Sequence, residues 1–192
     1  MAGGGVSLLP NLELKMPTLG EKYLGAWQET STRIQARDQV LSWFITLASL
    51  LIGASFSNFA PTAAGIVLGY ASLATALLTS HHDLIIGYLG DYQNELYVFA
   101  KEHQNDSTPE WFSKHNFDRV LYARRLRDWA QLFIIGPAGI TGLWLAWQSP
   151  TVWSTCPRRL IFYESVSCFV TSIFLIILTN LRRQRIWQHW TI

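Results

Sequence analysis

The segment His81-His82-Asp83 contains the residues of this sequence with the most versatile chemistry, because imidazole and carboxylate groups bind metals and transfer protons. Neighbouring residues on a helix point about 100° apart, whereas zinc-binding helices place two histidines four positions apart. The spacing therefore predicts no metal site and no cofactor. We interpret His81 and His82 as polar residues at a membrane interface whose protonation changes near neutral pH.

The sequence contains no complete catalytic motif. Arg185 and His189 look like part of an RNase motif, but their spacing is too short. The chain has no GxxxxGK, GxSxG or HExxH segment and no cysteine pair at zinc-binding spacing. Cys156 and Cys168 are too far apart along a helix to form a disulfide. We expect a protein that is not an enzyme.

Glu164 is an acid within an otherwise uncharged, apolar segment. An acid inside a membrane span is a candidate functional residue with a polar partner. Here the partner is Arg158 or Arg159, or a hydroxyl group such as that of Thr141 or Ser165. In the alternative interpretation, the Glu164 side chain extends to the lipid headgroups and has no such role. The sequence leaves both interpretations open.

The elements that carry these residues follow from the distribution of charge. Of the 192 residues, 49% are hydrophobic and 15% are charged, whereas soluble domains contain about 25% charged residues. Segments 39–80 and 129–157 comprise 42 and 29 consecutive residues without Asp, Glu, Lys, Arg or His. Because a helix needs about 20 apolar residues to cross a bilayer, the sequence predicts an all-α integral membrane protein with four transmembrane helices in two hairpins. The predicted spans are Val40–Ser57, Thr62–Ser80, Trp129–Trp147 and Leu160–Leu181.

The basic residues predict the orientation of these spans. Of the 15 Lys and Arg residues, 13 lie before the first span, between the second and third spans, or after the fourth. The other two, Arg158 and Arg159, lie between the third and fourth spans. The positive-inside rule then predicts a multi-pass protein of the cell membrane with both termini in the cytoplasm. A net charge of +2 provides no basic face for nucleic acid, so we expect the lipid bilayer and no nucleic acid as a partner.

The same pattern divides the chain into six segments, in which helical cytoplasmic parts alternate with membrane hairpins after a flexible start. We expect the cytoplasmic segment between the hairpins to be a helical stalk that continues directly from the second span. Its second helix is predicted to start at Pro109, since proline suits the first helical position. The segments are a flexible arm at 1–17, an amphipathic helix at 18–39, the first hairpin at 40–80, the helical segment at 81–128, the second hairpin at 129–181 and a basic, Trp-containing tail at 182–192.

Small residues at four-residue intervals predict where membrane helices pack closely. In lipid, such faces let helix backbones approach each other. Because both spans of the first hairpin carry one, we expect the two faces to pack together. The helix-packing residues are Ser49, Gly53 and Ser57 in the first span and Gly65, Gly69 and Ser72 in the second.

Apolar residues at 4-3-4-3 spacing follow the second span and predict a contact face on the stalk. Such a seam is typical of coiled coils, but two heptads are too few, so we favour packing on the helix at 18–39. Basic residues in 81–128 are expected to pair with acids of the stalk or with anionic headgroups. The predicted seam is Ile85, Leu89, Tyr92, Leu96 and Phe99, and the basic surface is Arg119, Arg124, Arg125 and Arg127.

The order of elements over about residues 20–100 resembles a known group of membrane proteins. The segment Arg33-Ile-Gln-Ala-Arg37-Asp-Gln precedes the first span, and His82-Asp83-Leu-Ile-Ile-Gly follows the second. An amphipathic helix leading into an uncharged hairpin that continues into a cytoplasmic helix resembles the SLATT-type membrane effectors of bacterial conflict systems, and other small bacterial multi-span membrane proteins. The second hairpin departs from that plan. The resemblance implies a self-assembling protein that forms a pore or perturbs the membrane when a partner triggers it.

Three classes of function are compatible with the sequence. The first is a non-enzymatic homo-oligomer that forms or gates a pore, for which a modest polar face is provided by Thr46, Ser49, Gly53 and Ser57. The second is a scaffold or accessory subunit of a larger membrane complex, which docks through the stalk. The third is a lipid- or small-solute-handling protein with a cavity near Pro137 and Glu164. We favour self-assembly over a role in a complex with another membrane protein.

Overall fold

A computed structural model describes residues 18–56, 61–104 and 114–188. Within these residues all regular structure is helical, which confirms the all-α fold class. The helices are α1 (Leu19–Phe56), α2 (Pro61–Gln104), α3 (Lys114–Gln148), α4 (Pro150–Trp153) and α5 (Cys156–Gln188). Helices α1, α2, α3 and α5 are long and apolar enough to span a membrane, as the sequence predicts. The predicted arm at 1–17, Ser57 and the helix start at Pro109 lie outside the described residues.

Helix α1 begins with a capping box formed by Thr18 and Glu21. The Glu21 N–H donates to Thr18 Oγ1 at 3.3 Å, and the Thr18 N–H donates to Glu21 Oε2 at 2.7 Å. These bonds satisfy donors that the start of a helix leaves unpaired. The Thr18 N–H, and after it the Thr18 hydroxyl, stabilise the Glu21 carboxylate and lower its pKa below the ordinary value. The helix then runs for 38 residues without interruption, so the predicted segment 18–39 and the first span form one helix.

Helix α2 starts at Pro61 and runs for 44 residues. At 1.5 Å per residue it is about 66 Å long, roughly twice the thickness of the hydrocarbon core of a bilayer. Helices α1 and α2 lie antiparallel, since Thr30 contacts Gln93 and Arg37 contacts Asp83. In the structure the segment that follows the second span pairs with the start of α1, so from here on the stalk means residues 19–36 and 83–104, and the opposite end of the molecule is the hairpin end. As predicted, the second span enters the stalk without a break.

Helix α2 is also the centre of the bundle. It packs against α1, α3 and α5. Of the residues in its most apolar segment, 44% are buried, whereas 17% are buried in the corresponding segment of α1. Helix α1 therefore lies at the edge of the bundle and has a large exposed face. The core residues that join the four long helices are Phe44, Ala48, Leu68, Ala76, Ile135 and Ile176.

The loop between α3 and α5 contains α4, a single helical turn that the sequence analysis does not predict. Three hydroxyl groups connect this loop to the start of α2. Thr62 Oγ1 donates to Ser149 Oγ at 2.8 Å, and Thr151 Oγ1 lies within hydrogen-bond distance of both. The hairpin end is thus held together by side chains as well as by the chain connection.

Candidate functional site

A buried ion pair joins α1 and α2 where the stalk meets the apolar part of the bundle. Arg37 Nη1 donates to Asp83 Oδ1 at 2.7 Å, and the two side chains are 0% and 1% exposed. Gln131 of α3 donates its Nε2 to Asp83 Oδ2 at 2.9 Å. Arg37 also bonds to the exposed Asp38 at 2.8 Å. The Asp83 cluster, by which we mean Arg37, Asp83 and Gln131, therefore connects three helices through one carboxylate.

The heptad position of Arg37 on α1 is the feature of the sequence that points to this cluster. Buried residues of α1 recur at heptad intervals, and Arg37 stands seven residues after Thr30 and seven before Phe44, both of which are buried. A charge on the packed stripe of a helix must have a partner, because an isolated buried charge is very costly. In the sequence, Arg37 is one of several cations outside the predicted spans and Asp83 is a neighbour of two histidines. Neither residue is recognisable there as one half of a buried ion pair.

The neighbouring histidines differ from each other in environment. His81 is exposed, whereas Nδ1 of His82 is buried and has no hydrogen-bond partner among the described residues. Their ring centroids lie 5.8 Å apart in an edge-to-face arrangement. In the parts of the chain that the structure describes, no group of three His, Cys, Asp or Glu residues is placed to hold a metal ion.

Gly65 and Gly69 form a GxxxG pattern in α2. Both lie at close contacts of α2, with α3 and α5 respectively and not with α1. A Cβ on Gly65 would lie 2.5 Å from Cβ of Ala146 in α3, and a Cβ on Gly69 would lie 2.6 Å from the carbonyl oxygen of Ser165 in α5. Ser165 Oγ also donates to the Ile66 carbonyl of α2 at 2.9 Å. Ser72 is fully buried. These glycines therefore let α2 occupy the centre of the bundle.

The structure does not bring the small residues of the first span into this contact. Ser49 and Gly53 are exposed, and a Cβ on Gly53 would meet nothing within 4 Å. Helix α1 instead packs on α2 through Phe44, Ala48 and neighbouring apolar residues. The expected pairing of two small-residue faces is therefore wrong, because a different face of α1, which carries Phe44, Ala48 and Ser55, is buried in the bundle.

The contact face of the stalk is displaced by one residue from the predicted seam. Ile85, Leu89 and Leu96 are half-buried, and Tyr92 and Phe99 are exposed. The face towards α1 contains a charge, a glycine and an amide, which a search for apolar residues does not find. Three of the four residues on this face each come directly after a residue of the predicted seam, and the fourth comes two positions before Ile85. These residues are Asp83, Ile86, Gly90 and Gln93.

Glu164 is exposed at the surface of α5 and lies near the Tyr70 side chain of α2. Among the described residues, neither expected arginine forms an ion pair with Glu164, and Ser165 donates to the Ile66 carbonyl instead. Arg158 donates to Ser154 Oγ at 3.0 Å, and Arg159 Nη2 donates to the Trp153 carbonyl at 2.6 Å. The four residues of the predicted basic surface lie on α3, but their side chains are outside the described part of the structure. They are Arg119, Arg124, Arg125 and Arg127.

An open apolar groove of about 500 Å³ lies between α3 and α5 near the hairpin end. Leu143 and Phe162 are buried at its base, and Trp144 and Tyr163 are half-exposed along its sides. Neither Pro137 nor Glu164 lines this groove, so it differs from the cavity expected from the sequence.

In comparisons with known proteins, no family model, no curated protein and no solved structure matches this chain.

Proposed function

We propose that the protein is a non-enzymatic, self-assembling membrane protein whose copies associate through the exposed face of α1, and whose assembly forms a pore or perturbs the membrane. One observation carries this proposal. A line of small and hydroxyl-bearing residues occupies the exposed side of the apolar part of α1, where the rest of the bundle leaves it uncovered. This α1 stripe consists of Ser42, Thr46, Ser49 and Gly53.

The spacing and borders of the α1 stripe favour a helix–helix contact. Its members follow at 4-3-4 intervals and therefore share one face. Trp43 and Leu50, each 67% exposed, border it. A lipid-facing helix with small residues between large ones allows a second helix to approach closely. The Thr46 hydroxyl donates to the Ser42 carbonyl at 3.0 Å, so the stripe is compatible with lipid before assembly.

The pore follows from the chemistry of the same stripe. In a ring of copies that pack through the α1 stripe, the hydroxyl groups at the inner edge of each contact border a central path, while large apolar side chains such as Phe174, which is 63% exposed, face the lipid. Hydroxyl groups lower the cost of water within a membrane path. The resemblance of residues 20–100 to SLATT-type effectors supports the same function.

The stalk is the part that receives a trigger in this proposal. The excess of Lys and Arg on its side supports a cytoplasmic stalk with both termini in the cytoplasm of a cell-membrane protein. Helices α1 and α2 pass from the stalk into the bundle without interruption. Because the Asp83 cluster also fixes them to α3, a displacement of the stalk is transmitted to the α1 stripe and to the bundle together.

A scaffold role is the second candidate, and exposed apolar side chains on the stalk favour it. Leu24 and Trp27 of α1 are 60% and 56% exposed, and Tyr88 of α2 is 65% exposed. Apolar groups on a part of the molecule outside the bilayer are suited to a protein partner. A partner bound there is also the most direct source of the trigger.

Disulfide crosslinking tests the α1 contact. The two native cysteines, Cys156 and Cys168, are free and are first replaced by serine. In this background, Ser49→Cys should give crosslinked dimers in liposomes upon mild oxidation. Ala74→Cys is the matched control, because Ala74 is exposed on the apolar part of α2. Equal crosslinking of both variants would contradict association through α1.

Dye release from liposomes tests the pore. The purified protein should release a small fluorescent dye when a stalk-binding antibody fragment or high protein density drives assembly. Gly53→Leu should abolish release because a large side chain separates the α1 helices, whereas Ala74→Leu should not. Release that is the same in both variants would favour the scaffold role.

A further inference from the structure

We propose that the α3–α5 groove binds one acyl chain of an anionic glycerophospholipid, and that Arg158 and Arg159 bind its phosphate. This site lies on α3 and α5, away from the α1 stripe, so the proposal does not depend on self-assembly. Its occupant is identified by two features that lie next to each other, an apolar groove that opens towards the membrane and two guanidinium groups at its end.

The groove has the shape and the lining of a site for a hydrocarbon chain. Its volume of about 500 Å³ falls within the range of about 300–1,000 Å³ typical of small-molecule sites. Ile140 and Trp147 on its sides are 61% and 53% exposed, so it is open on the side that faces lipid tails. A molecule that enters from the bilayer and matches this lining is an acyl chain.

The two arginines stand at the hairpin end of this groove. Arg159 lies three and four residues before Phe162 and Tyr163, so it shares their face of α5 one turn beyond the groove. Trp147 and Trp153 lie beside it with ring centroids 4.6 Å apart, and tryptophans of this kind mark the level of the headgroups. A lipid with its chain in the groove therefore has its phosphate at the level of the guanidinium groups.

Within the described part of the chain neither arginine forms an ion pair, not even with Glu164 on the same helix. Arg158 Nη1 donates to Ser154 Oγ and Arg159 Nε donates to the Trp153 carbonyl at 3.1 Å, and both of these acceptors are neutral. The hydrogen bonds hold the guanidinium groups in place and leave other N–H donors for a ligand. Since guanidinium groups match the geometry of phosphate, the complementary ligand is an anion. The apolar groove makes it a lipid rather than a soluble phosphate.

Native mass spectrometry with defined lipids tests this proposal. Phosphatidylglycerol and phosphatidylcholine with identical chains are titrated into the delipidated protein, and glycerol 3-phosphate is added as a competitor. The protein should retain phosphatidylglycerol more strongly, and glycerol 3-phosphate should not displace it. At about 1 kcal/mol per basic residue near a membrane surface, Arg158→Gln with Arg159→Gln should weaken phosphatidylglycerol binding about thirtyfold. Arg182→Gln, at the other end of α5, is the matched control and should have no effect.

If replacing both arginines disturbs the loop to which they hydrogen-bond, a second variant still tests the proposal. Val166→Trp fills the groove and leaves the arginines unchanged, so it should reduce binding of both lipids while the far-ultraviolet circular dichroism stays that of the parent. Equal binding of the two lipids by the parent protein would overturn the proposal. It would also be overturned if the arginine variant bound phosphatidylglycerol like the parent, or if glycerol 3-phosphate displaced the lipid. The mass of the assembly is recorded in the same spectra, so a failure of self-assembly is distinguished from a failure of lipid binding.

Discussion

Replacing Asp83 by alanine should destabilise the bundle strongly, because its carboxylate is the shared acceptor of Arg37 and Gln131. Removing one partner of a buried ion pair costs about 3–5 kcal/mol. Arg37 keeps its bond to Asp38, but Asp38 is 56% exposed and such a pair contributes only about 0–1 kcal/mol. The Gln131 amide also loses a bond to a charged group. We therefore expect Asp83→Ala to lower the free energy of unfolding by about 3 kcal/mol or more.

Unfolding by sodium dodecyl sulfate in mixed micelles, followed by circular dichroism, measures this loss. Asp38→Ala is the matched control: it removes the other carboxylate that binds Arg37, but an exposed one. We expect it to cost no more than about 1 kcal/mol. Replacing both charges, as in Arg37→Met with Asp83→Leu, should recover most of the stability that Asp83→Ala loses, since no unpaired buried charge is left. Similar losses for Asp83→Ala and Asp38→Ala would refute the role of the Asp83 cluster.

Three further predictions follow from the packing, the helix start and the orientation. Gly69→Ala should lower the free energy of unfolding by about 1–3 kcal/mol, since its Cβ would overlap backbone atoms of α5, whereas Gly53→Ala should leave it unchanged; equal effects would contradict the packing at Gly69. Thr18→Ala should speed amide hydrogen exchange in the first turn of α1, since the Glu21 N–H loses its acceptor, and should raise the pKa of Glu21 only part of the way to its ordinary value, because the N–H of residue 18 still donates to the carboxylate; unchanged exchange would show that the capping box is not needed. An impermeant thiol reagent added outside cells should label Cys156 but not a cysteine introduced by Asp106→Cys, and the opposite pattern would invert the orientation.

The number of spans and the continuity of α2 could be predicted from the sequence, because the bilayer imposes a length of about 20 apolar residues on each span. The positions of close packing on α2 could also be found, since Gly65 and Gly69 are conspicuous in an apolar helix. Their partner helices could not, because small residues indicate where a neighbour approaches and do not identify it. A GxxxG pattern is equally compatible with α1, α3 and α5.

The polar contacts could not be predicted from the sequence, for a different physical reason. A search for apolar spacing assigns the stalk contact to Ile85 and Leu89, but the observed face includes Asp83 and Gln93, whose polar groups are satisfied by partners on α1. Such a face appears polar in the sequence and is buried only because the complementary group lies more than 40 residues away in the chain. Pair interactions of this kind depend on the tertiary structure, whereas hydropathy is a local property.

The mass of the protein in lipid nanodiscs tests self-assembly through the α1 stripe most directly. We expect the parent chain of 21.8 kDa to be present as a multiple of this mass, and Ser49→Leu with Gly53→Leu to reduce it to a single chain. Ala74→Leu should retain the mass of the parent assembly. A parent protein with the mass of a single chain, or an assembly that the double variant leaves intact, would rule out self-assembly through the α1 stripe.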